Sequence, residues 1–355
     1  MYHPHFLSCF QDIYLLNYSR NFIQIHTPIL TGNDCEGAGE VFTVQPASNS
    51  SLATAQKDDA HLDGTYFGKD VYLTVSGQLH LEAICNGITR VYNFSPVFRA
   101  EHGQTRKHLS EFWMVEAEVG FAYDTKNDVA LLIESLVKHV LCTILENSYP
   151  EIELFAKLCQ ENNLSKNTTN IELLESIANI NKPFAVMTYD EALDILKRNS
   201  DKFQSKPKYG EGLGNEHELY LVEKHCNNTP IHIIEWPKST KPFYTRIEDT
   251  SSGVTSNNCY AAAVDTLFPK IGELCGGALR EYRTDILLER MKECGLYNDK
   301  NVNAMKWYLN LRQIGGAAPT GGFGLGFDRL IQFILGINNI RDTMPFPRTP
   351  HKCRL

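Results

Sequence analysis

FRAEHGQTRKHLSEFWMVEAE, from Phe98 to Glu118, is the part of the chain that gives the clearest indication of its fold. The blocks from Val91 to Arg99 and from Phe112 to Phe121 are rich in β-branched and aromatic residues, whereas the segment between them is charged and polar. This pattern is typical of two strands and their connection. We therefore predict two antiparallel strands joined by a long mobile loop.

Charged and aromatic side chains concentrate at the tip of this predicted hairpin. They are Arg99, Glu101, Arg106, Lys107, His108 and Phe112. A guanidinium at a strand end can clamp an α-phosphate, loop cations can neutralise the outer phosphates, and a flat aromatic ring can stack on a base. The tip is therefore a candidate ATP site. A solvated tip whose charges pair with one another is the alternative that these residues leave open.

A second block, GGFGLGFDRL from Gly321 to Leu330, places four glycines before an apolar helix that extends to Leu335. Glycine lets a ligand approach the backbone closely, and Asp328 and Arg329 fall within the first turns of the helix. This pattern favours a ligand site. A turn or a closely packed strand is the structural alternative.

A third block runs from Ala261 to Arg283 and reads AAAVDTLFPKIGELCGGALREYR. Its two carboxylates, Asp265 and Glu273, stand near a Gly-Gly pair, and two such acids can share a Mg²⁺ ion that bridges phosphates. Ion pairing of these acids with Arg280 and Arg283 is the alternative.

The remaining pattern predicts the fold class. Apolar residues recur at helical spacing from Asp128 to Leu145, residues 147–205 read as a surface insertion of short helices, and Ile231–Trp236 and Ala261–Leu267 are strand-like. Strands in runs with helices outside them indicate an α+β fold with a mostly antiparallel sheet flanked by helices. Neither a GxGxxG after a strand nor a GxxxxGK[ST] is present, so an ATP site must use another architecture.

Composition narrows the class of protein. A formal net charge of −8 argues against a surface built for non-specific nucleic-acid binding, although a local basic patch could still bind RNA. The ten cysteines contain no CxxC pair, so we interpret them as buried thiols in a reducing compartment. No apolar run is long enough to span a membrane, and no secretory or transit signal is recognisable at the N-terminus.

These blocks, in this order, resemble the class II aminoacyl-tRNA synthetases. The hairpin resembles motif two, the glycine-rich block motif three, Ala261–Arg283 the metal segment between them, and IQIHTPIL (Ile23–Leu30) motif one. The segments NDCEGAGEVF, LTVSGQLHLE and DTMPFPRTPHKC are most similar to asparaginyl-tRNA synthetases of the mitochondrial type. The resemblance implies one catalytic domain over residues 1–355, with a helical insertion at about 125–225 and without the family's N-terminal OB-fold anticodon domain.

The resemblance also implies a role for each matching residue. Arg99 would hold the α-phosphate and the reacting carboxylate oxygen, Phe112 would stack under adenine, and Arg329 would cover its other side and touch the γ-phosphate. Glu101 would contact the nucleotide or the substrate amide, and with Arg99 and Arg329 it forms the predicted catalytic set. The predicted ATP site comprises Arg99, Glu101, Arg106, His108, Phe112, Glu273, Gly324, Gly326 and Arg329.

For the other substrates, the resemblance implies that Asp265 and Glu273 bind Mg²⁺. The predicted amino-acid site comprises Glu36, Ser76, Gln78 and Arg280. Within it, Glu36 and Gln78 would receive the α-amino group, and Arg280 would meet the substrate side chain.

The choice of amino acid depends on Leu81. Related aspartyl enzymes carry a lysine three residues after the glutamine of their SPQ segment, and SGQLHL places Leu81 at that position. Burying a substrate carboxylate without a paired cation is costly, so the site favours a substrate with a neutral amide side chain. The alternative is that another cation in the site pairs with the carboxylate of an aspartate substrate.

The expected activity is asparagine–tRNA ligation: ATP-dependent activation of asparagine to asparaginyl-AMP and transfer to tRNA(Asn). The absence of the anticodon domain has two explanations: the sequence is a fragment of a full synthetase, or it is a stand-alone paralogue. The alternatives are an asparagine synthetase-like paralogue that uses aspartate and ammonia, an aspartate–tRNA ligase, and a non-catalytic RNA-binding relic, which the intact site residues disfavour.

Partners and location follow from the same resemblance. Motif one implies a homodimer in which Pro28 packs near the partner's active site. KSTKPFYTR, from Lys238 to Arg246, is the densest basic and aromatic cluster and is expected to border the substrate pocket or the tRNA acceptor end, with a solvated loop as the alternative. We expect no membrane association and a location in the mitochondrial matrix, with the cytoplasm as the alternative.

Overall fold

A nine-stranded sheet forms the centre of the computed structural model. The described residues contain eleven strands, nine of them in this sheet: β1 Ile23–Gln24, β2 Leu30–Thr31, β3 Tyr72–Leu73, β4 Arg90–Phe98, β5 Glu111–Gly120, β6 Ala185–Thr188, β7 Ile231–Pro237, β8 Ile247–Glu248, β9 Tyr260–Phe268, β10 Gly272–Leu279 and β11 Thr320–Gly326. The structure describes residues 21–32, 40–46, 66–101, 106–161, 171–248, 259–296, 299–313 and 318–353. The predicted loop across the hairpin tip falls partly on residues 102–105, which lie outside these ranges.

The sheet order is β1-β4-β5-β11-β10-β9-β7-β6, with β8 paired to β9, and β2 and β3 form a separate two-stranded sheet. In the large sheet β1 pairs with β4 and β6 with β7 in parallel, and the other described pairings are antiparallel. The expected α+β class with a mostly antiparallel sheet is therefore confirmed. The order is not sequential, so β11 lies between β5 and β10.

Helices cover the sheet. They are α1 Gln78–Ile88, α2 Leu131–Asn147, α3 Tyr149–Glu161, α4 Ile171–Ala178, α5 Tyr189–Arg198, α6 Asn215–Leu219, α7 Thr284–Glu293, α8 Asp299–Gln313 and α9 Phe327–Leu335. None of the helices in the described ranges combines the length and apolar character needed to cross a bilayer.

The predicted hairpin is present. β4 and β5 pair from Arg90 with Val119 to Phe98 with Glu111, within a residue of the predicted bounds. The predicted helix from Asp128 to Leu145 is a π-helical turn that continues into α2, whose buried stripe packs on the central core. The hairpin therefore places its tip at one end of the sheet.

The glycine-rich block is a strand in the middle of the sheet, followed by α9. A Cβ added at Gly322 would lie 1.9 Å from Oε2 of Glu118 and 2.4 Å from the backbone oxygen of Ala117. Close packing thus requires glycine here, in agreement with the alternative interpretation of this block as a closely packed strand. The block still reaches the candidate site, because Gly324 and Gly326 line a cavity.

The segment at about 125–225 contains α2 to α6 and also β6, which extends the edge of the sheet. Glu134 of α2 anchors it: its Oε1 accepts a 2.6 Å hydrogen bond from Nζ of Lys138, and its Oε2 lies 3.7 Å from Nε2 of His232 on β7. Burial alone would raise the pKa of Glu134, but His232, Lys138 and the Phe184 N–H stabilise its carboxylate, outweigh burial and lower the pKa to about 2.

Candidate active site

Two adjoining cavities, of about 140 and 290 Å³, lie beside β4, β5, β10 and β11. The first is lined by eight of the nine predicted ATP residues: Arg99, Glu101, His108, Phe112, Glu273, Gly324, Gly326 and Arg329. Arg106, the ninth, does not line this cavity, and its backbone oxygen accepts a 2.9 Å hydrogen bond from the N–H of Ile340. The sequence blocks therefore converge on one place, apart from Arg106.

The hairpin tip brings a guanidinium against an aromatic ring. The Cζ atom of Arg99 lies 5.5 Å from the ring centroid of Phe112, within the range of a cation–π contact. Glu101 lies between Arg99 and His108, with its Oε1 at 4.0 Å from Nη1 of Arg99 and its Oε2 at 3.4 Å from Nε2 of His108. The charges at the tip thus pair with one another while they also line the cavity.

Arg329 reaches the same cavity from α9. Its Nη1 donates a 2.8 Å hydrogen bond to the backbone oxygen of Glu273 and lies 3.9 Å from the Glu273 carboxylate. Arg99 and Arg329 therefore supply cationic groups from two different elements, an arrangement suited to a polyphosphate.

Lys107 forms part of the rim. Its Nζ donates to Oδ1 of Asn215 and, at 2.5 Å, to the backbone oxygen of Ile271. Burial and the nearby charge of Arg329 lower the pKa of Lys107 to about 8, against the opposing influence of Glu218. Glu218 itself has its pKa raised to about 7, by burial and by the neighbouring Glu273 carboxylate.

The second cavity contains a buried ion pair. Nε and Nη2 of Arg280 each donate a 2.9 Å hydrogen bond to the carboxylate of Glu118, and both side chains are almost fully buried. Burial alone would lower the pKa of Arg280, but Glu118 outweighs burial and raises it. The alternative in which Asp265 and Glu273 pair with Arg280 and Arg283 is therefore wrong, because Arg283 pairs with Glu281 and Asp265 with Lys241.

Asp265 and Glu273 face a common space. A Cβ added at Gly276 would lie 3.3 Å from Oε1 of Glu273 and 3.6 Å from Oδ1 of Asp265, so the glycine leaves room between the carboxylates. Burial raises the pKa of Asp265 to about 6; Lys241, whose Nζ is 2.5 Å from Oδ2, opposes the rise, and Glu273 adds to it. Two hard oxygen donors around an open space fit a Mg²⁺ ion. In the described ranges no larger cluster of metal-ligating side chains accompanies them.

The predicted amino-acid residues Ser76, Gln78 and Arg280 all line the second cavity. Ser76 Oγ donates to Oε1 of Glu116, whose Oε2 accepts a 2.9 Å hydrogen bond from the Gly77 N–H. Nε2 of Gln78 is buried and has no hydrogen-bond partner in the described part of the chain. Glu36 lies outside the described residues.

Leu81 does not line this cavity and is fully buried in a small apolar cluster with Cys85 and Val91. The position that carries a lysine in aspartyl enzymes is therefore part of a closed apolar contact. An added ammonium group there would be desolvated.

Sequence reasoning did not single out Glu116 and Glu118 as site residues, and it placed Lys241 and Tyr244 at the substrate pocket only as part of the segment KSTKPFYTR. Glu116 and Glu118 alternate on β5, and this pair of acids within a strand was a usable signal. Within that segment, five residues line the second cavity: Thr240, Lys241, Pro242, Tyr244 and Thr245. The Lys241 ammonium also lies 4.1 Å from the ring centroid of Trp236.

Comparisons with known proteins agree with this arrangement. Residues 7–350 match the family model for tRNA synthetases class II (D, K and N). The chain is 44% identical to an asparagine–tRNA ligase of Oleidesulfovibrio alaskensis over 93% of its own length and 66% of the relative's. It is 42% identical to a human asparaginyl-tRNA synthetase over 94% of its length and 64% of that protein's. The chain thus spans just under two thirds of these relatives.

Solved structures give the same result. The asparaginyl-tRNA synthetase from Pyrococcus horikoshii complexed with asparaginyl-adenylate superposes with a TM-score of 0.78 at 30% identity, covering 97% of this chain and 67% of that one. An asparaginyl-tRNA synthetase from Entamoeba histolytica in complex with asparaginyl-adenylate gives a TM-score of 0.75 at 25% identity, covering 98% and 66%.

Proposed function

Because the chain belongs to the class II tRNA synthetases of the D, K and N group, we propose that it activates asparagine with ATP and transfers it to tRNA(Asn). The observation that carries this proposal is the pair of adjoining cavities that share Arg99 and Glu273 in their walls. One cavity has the groups for a nucleotide and the other those for a polar amino acid. The relatives named asparagine–tRNA ligase support the same reaction.

In the first step, the carboxylate of asparagine attacks the α-phosphorus of ATP in line, and pyrophosphate leaves. Arg99, at the boundary of the cavities, holds the α-phosphate and a reacting carboxylate oxygen. Phe112 stacks under adenine, and Arg329 covers its other face and reaches the γ-phosphate. No protein nucleophile is needed, since positioning and charge neutralisation lower the barrier.

Asp265 and Glu273 would hold Mg²⁺. A Mg²⁺ ion held there would supply positive charge to neutralise the phosphates. Without the metal ion, Lys241 neutralises Asp265 through a direct ion pair. In the second step, a ribose hydroxyl of the tRNA attacks the adenylate carbonyl, and AMP leaves.

Selection of asparagine over aspartate rests on charge. Among the described residues that line the second cavity, Arg280 is neutralised by Glu118 and Lys241 by Asp265, so neither offers an uncompensated charge to a carboxylate. Arg280 retains Nη1 to donate to a side-chain carbonyl oxygen, and the nearby carboxylates can accept from an amide N–H. A neutral carboxamide satisfies both without a surplus of negative charge.

Amino-acid-dependent exchange of pyrophosphate into ATP tests the proposal. We expect asparagine to stimulate exchange at least about 100-fold better than aspartate, because the site is built around hydrogen bonds to a neutral side chain. Charging of tRNA(Asn) transcripts tests the second step separately. Exchange driven by aspartate, or formation of asparagine from aspartate and ammonia, would replace the proposal with one of its alternatives.

We also propose a homodimer assembled through motif one. Pro28, Ile29 and Leu30 are all exposed, and they form an apolar surface that a second copy of the chain would cover in the proposed dimer. Light scattering at micromolar concentration should give twice the chain mass, and a monomer would refute the assembly. The proposed location in the mitochondrial matrix, with the cytoplasm as the alternative, is tested by cell fractionation.

A further inference from the structure

Helix α6, in the middle of the chain, contacts two walls of the nucleotide cavity that come from distant parts of the sequence. At its first residue, Oδ1 of Asn215 accepts a hydrogen bond from Nζ of Lys107, which lies in the β4–β5 hairpin tip. One turn later, Oε2 of Glu218 accepts a 3.0 Å hydrogen bond from the N–H of Glu273 on β10. Lys107 and Glu273 both line the cavity, whereas Asn215 and Glu218 do not.

Gly272 makes room for this contact. It has a φ of +76°, and a Cβ added there would lie 2.3 Å from Oε2 of Glu218 and 3.2 Å from Oδ1 of Asn215. The two α6 side chains therefore occupy the space directly over the backbone that precedes Glu273. Since any larger residue would displace them, the turn between β9 and β10 is shaped to receive α6.

Lys107 is held from two sides. Besides Asn215, its Nζ donates to the backbone oxygen of Ile271, at 2.5 Å, in the same turn. A lysine side chain has a flexible four-carbon stem and loses considerable rotamer freedom when it is fixed. Fixing the ammonium group before the nucleotide arrives removes that loss from the binding step.

We infer that Asn215 is a positioning residue which, anchored to the sheet through Glu218, holds the Lys107 ammonium at the nucleotide cavity and so sets the affinity for the outer phosphates of ATP. The inference rests on the proposed function, because it requires that ATP be the ligand of this cavity. It assigns a role in the ATP site to a helix that supplies no lining residue of its own.

The test measures the dissociation constant for ATP with Mg²⁺ by calorimetry, in the absence of amino acid. Asn215→Ala should weaken ATP binding about tenfold, the scale of one hydrogen bond to a charged group, while Asn215→Asp, which keeps an acceptor oxygen, should restore most of it. Glu218→Ala should weaken binding in the same direction. The KM for asparagine should stay within about twofold of the unsubstituted protein for Asn215→Ala.

A double-mutant cycle separates positioning from general structural damage. Lys107→Met should weaken ATP binding by itself, and adding Asn215→Ala to it should have no further effect, because the group that Asn215 positions is gone. The matched control is Asn199→Ala: Oδ1 of Asn199 also accepts a lysine hydrogen bond, at 2.8 Å from Lys202, but on α5's far end and away from both cavities. That variant should bind ATP as the unsubstituted protein does.

Equal ATP affinity for Asn215→Ala and Asn199→Ala would overturn the inference. An undiminished effect of Asn215→Ala in the Lys107→Met background would overturn it as well. The proposed function fails in a different way: if ATP binds with the expected pattern among the variants but asparagine drives no exchange, the positioning role stands and the substrate assignment falls. If the unsubstituted protein does not bind ATP, both fall.

Discussion

Nη1 of Arg329 donates a 2.8 Å hydrogen bond to the backbone oxygen of Glu273, which ties the first turn of α9 to the beginning of β10. The same nitrogen lies 3.9 Å from the Glu273 carboxylate. Because the backbone oxygen holds Arg329 in place, the guanidinium stays at the cavity without a tight ion pair that a phosphate would have to break.

Arg329→Ala should therefore weaken ATP binding by about 10- to 100-fold, the range for lost charge-assisted hydrogen bonds. The KM for asparagine should change far less, since Arg329 lines only the first cavity. Arg198→Ala, on the exposed end of α5, is the control for removal of an arginine. Equal changes in both KM values would argue against a nucleotide role.

The space at Gly276 gives a test of the metal site. Gly276→Ala would place a methyl group between the carboxylates of Asp265 and Glu273, and we expect the Mg²⁺ concentration for half-maximal exchange to rise about tenfold or more, because misplacement by an ångström is costly in such sites. Gly212→Ala is the matched control, since a Cβ there meets nothing within 4 Å. An unchanged Mg²⁺ requirement in Gly276→Ala would place the ion elsewhere.

The Arg280–Glu118 pair should govern the choice of substrate. Glu118→Gln removes one negative charge from beside Arg280, so a carboxylate guest gains a partner that it lacks in the unsubstituted protein. We expect the preference for asparagine over aspartate in pyrophosphate exchange to fall by about tenfold or more. Circular dichroism should first establish that the variant folds. A preference that stays constant in the folded variant would show that other groups discriminate.

ATP binding should depend on pH through Lys107. Burial lowers the pKa of this side chain to about 8, so the ammonium form that attracts phosphate is lost as the pH rises through that value. The dissociation constant for ATP should therefore increase between about pH 7 and pH 9. In Lys107→Met this segment of the profile should be flat, and a profile identical to that of the unsubstituted protein would assign the titration to another group.

Glu134 should make stability depend on acidity. Its pKa is lowered in the folded protein to about 2 from an ordinary value of 4.5, so its contribution is complete above pH 4.5 and is lost as the pH falls towards 2. Glu134→Gln leaves Lys138 without its carboxylate and should cost roughly 2–4 kcal/mol at neutral pH. Urea unfolding at several pH values measures both effects, and the variant should lose less stability than the unsubstituted protein below pH 4.5.

Local pattern was sufficient for the elements with strong periodicity. The bounds of β4, β5, β7 and β9 lie within about one residue of those expected, and those of α2 within about three, because alternation and helical spacing are properties of contiguous residues. The glycine-rich block carried no such period, and whether it formed a strand depended on the space beside Glu118, which is 204 residues away along the chain from Gly322.

Ion pairs across the sheet could not be inferred from spacing. Arg280 meets Glu118 because β11 lies between β10 and β5 in the sheet order, and Lys241 meets Asp265 from an irregular segment beside β9. The sequence therefore indicated Asp265 and Arg280 as site residues, whereas the tertiary arrangement determined that Lys241 and Glu118 neutralise them.

The wall common to both cavities has a practical consequence for chemical probes. Five residues belong to it: Arg99, Met114, Glu273, Gly276 and Gly324. Two weakly bound fragments, one adenosine-like and one carrying a carboxamide, would meet at this wall. Joining them by a short tether could raise affinity by about 10²- to 10⁴-fold without any added contact, because the second fragment would bind at a high effective concentration.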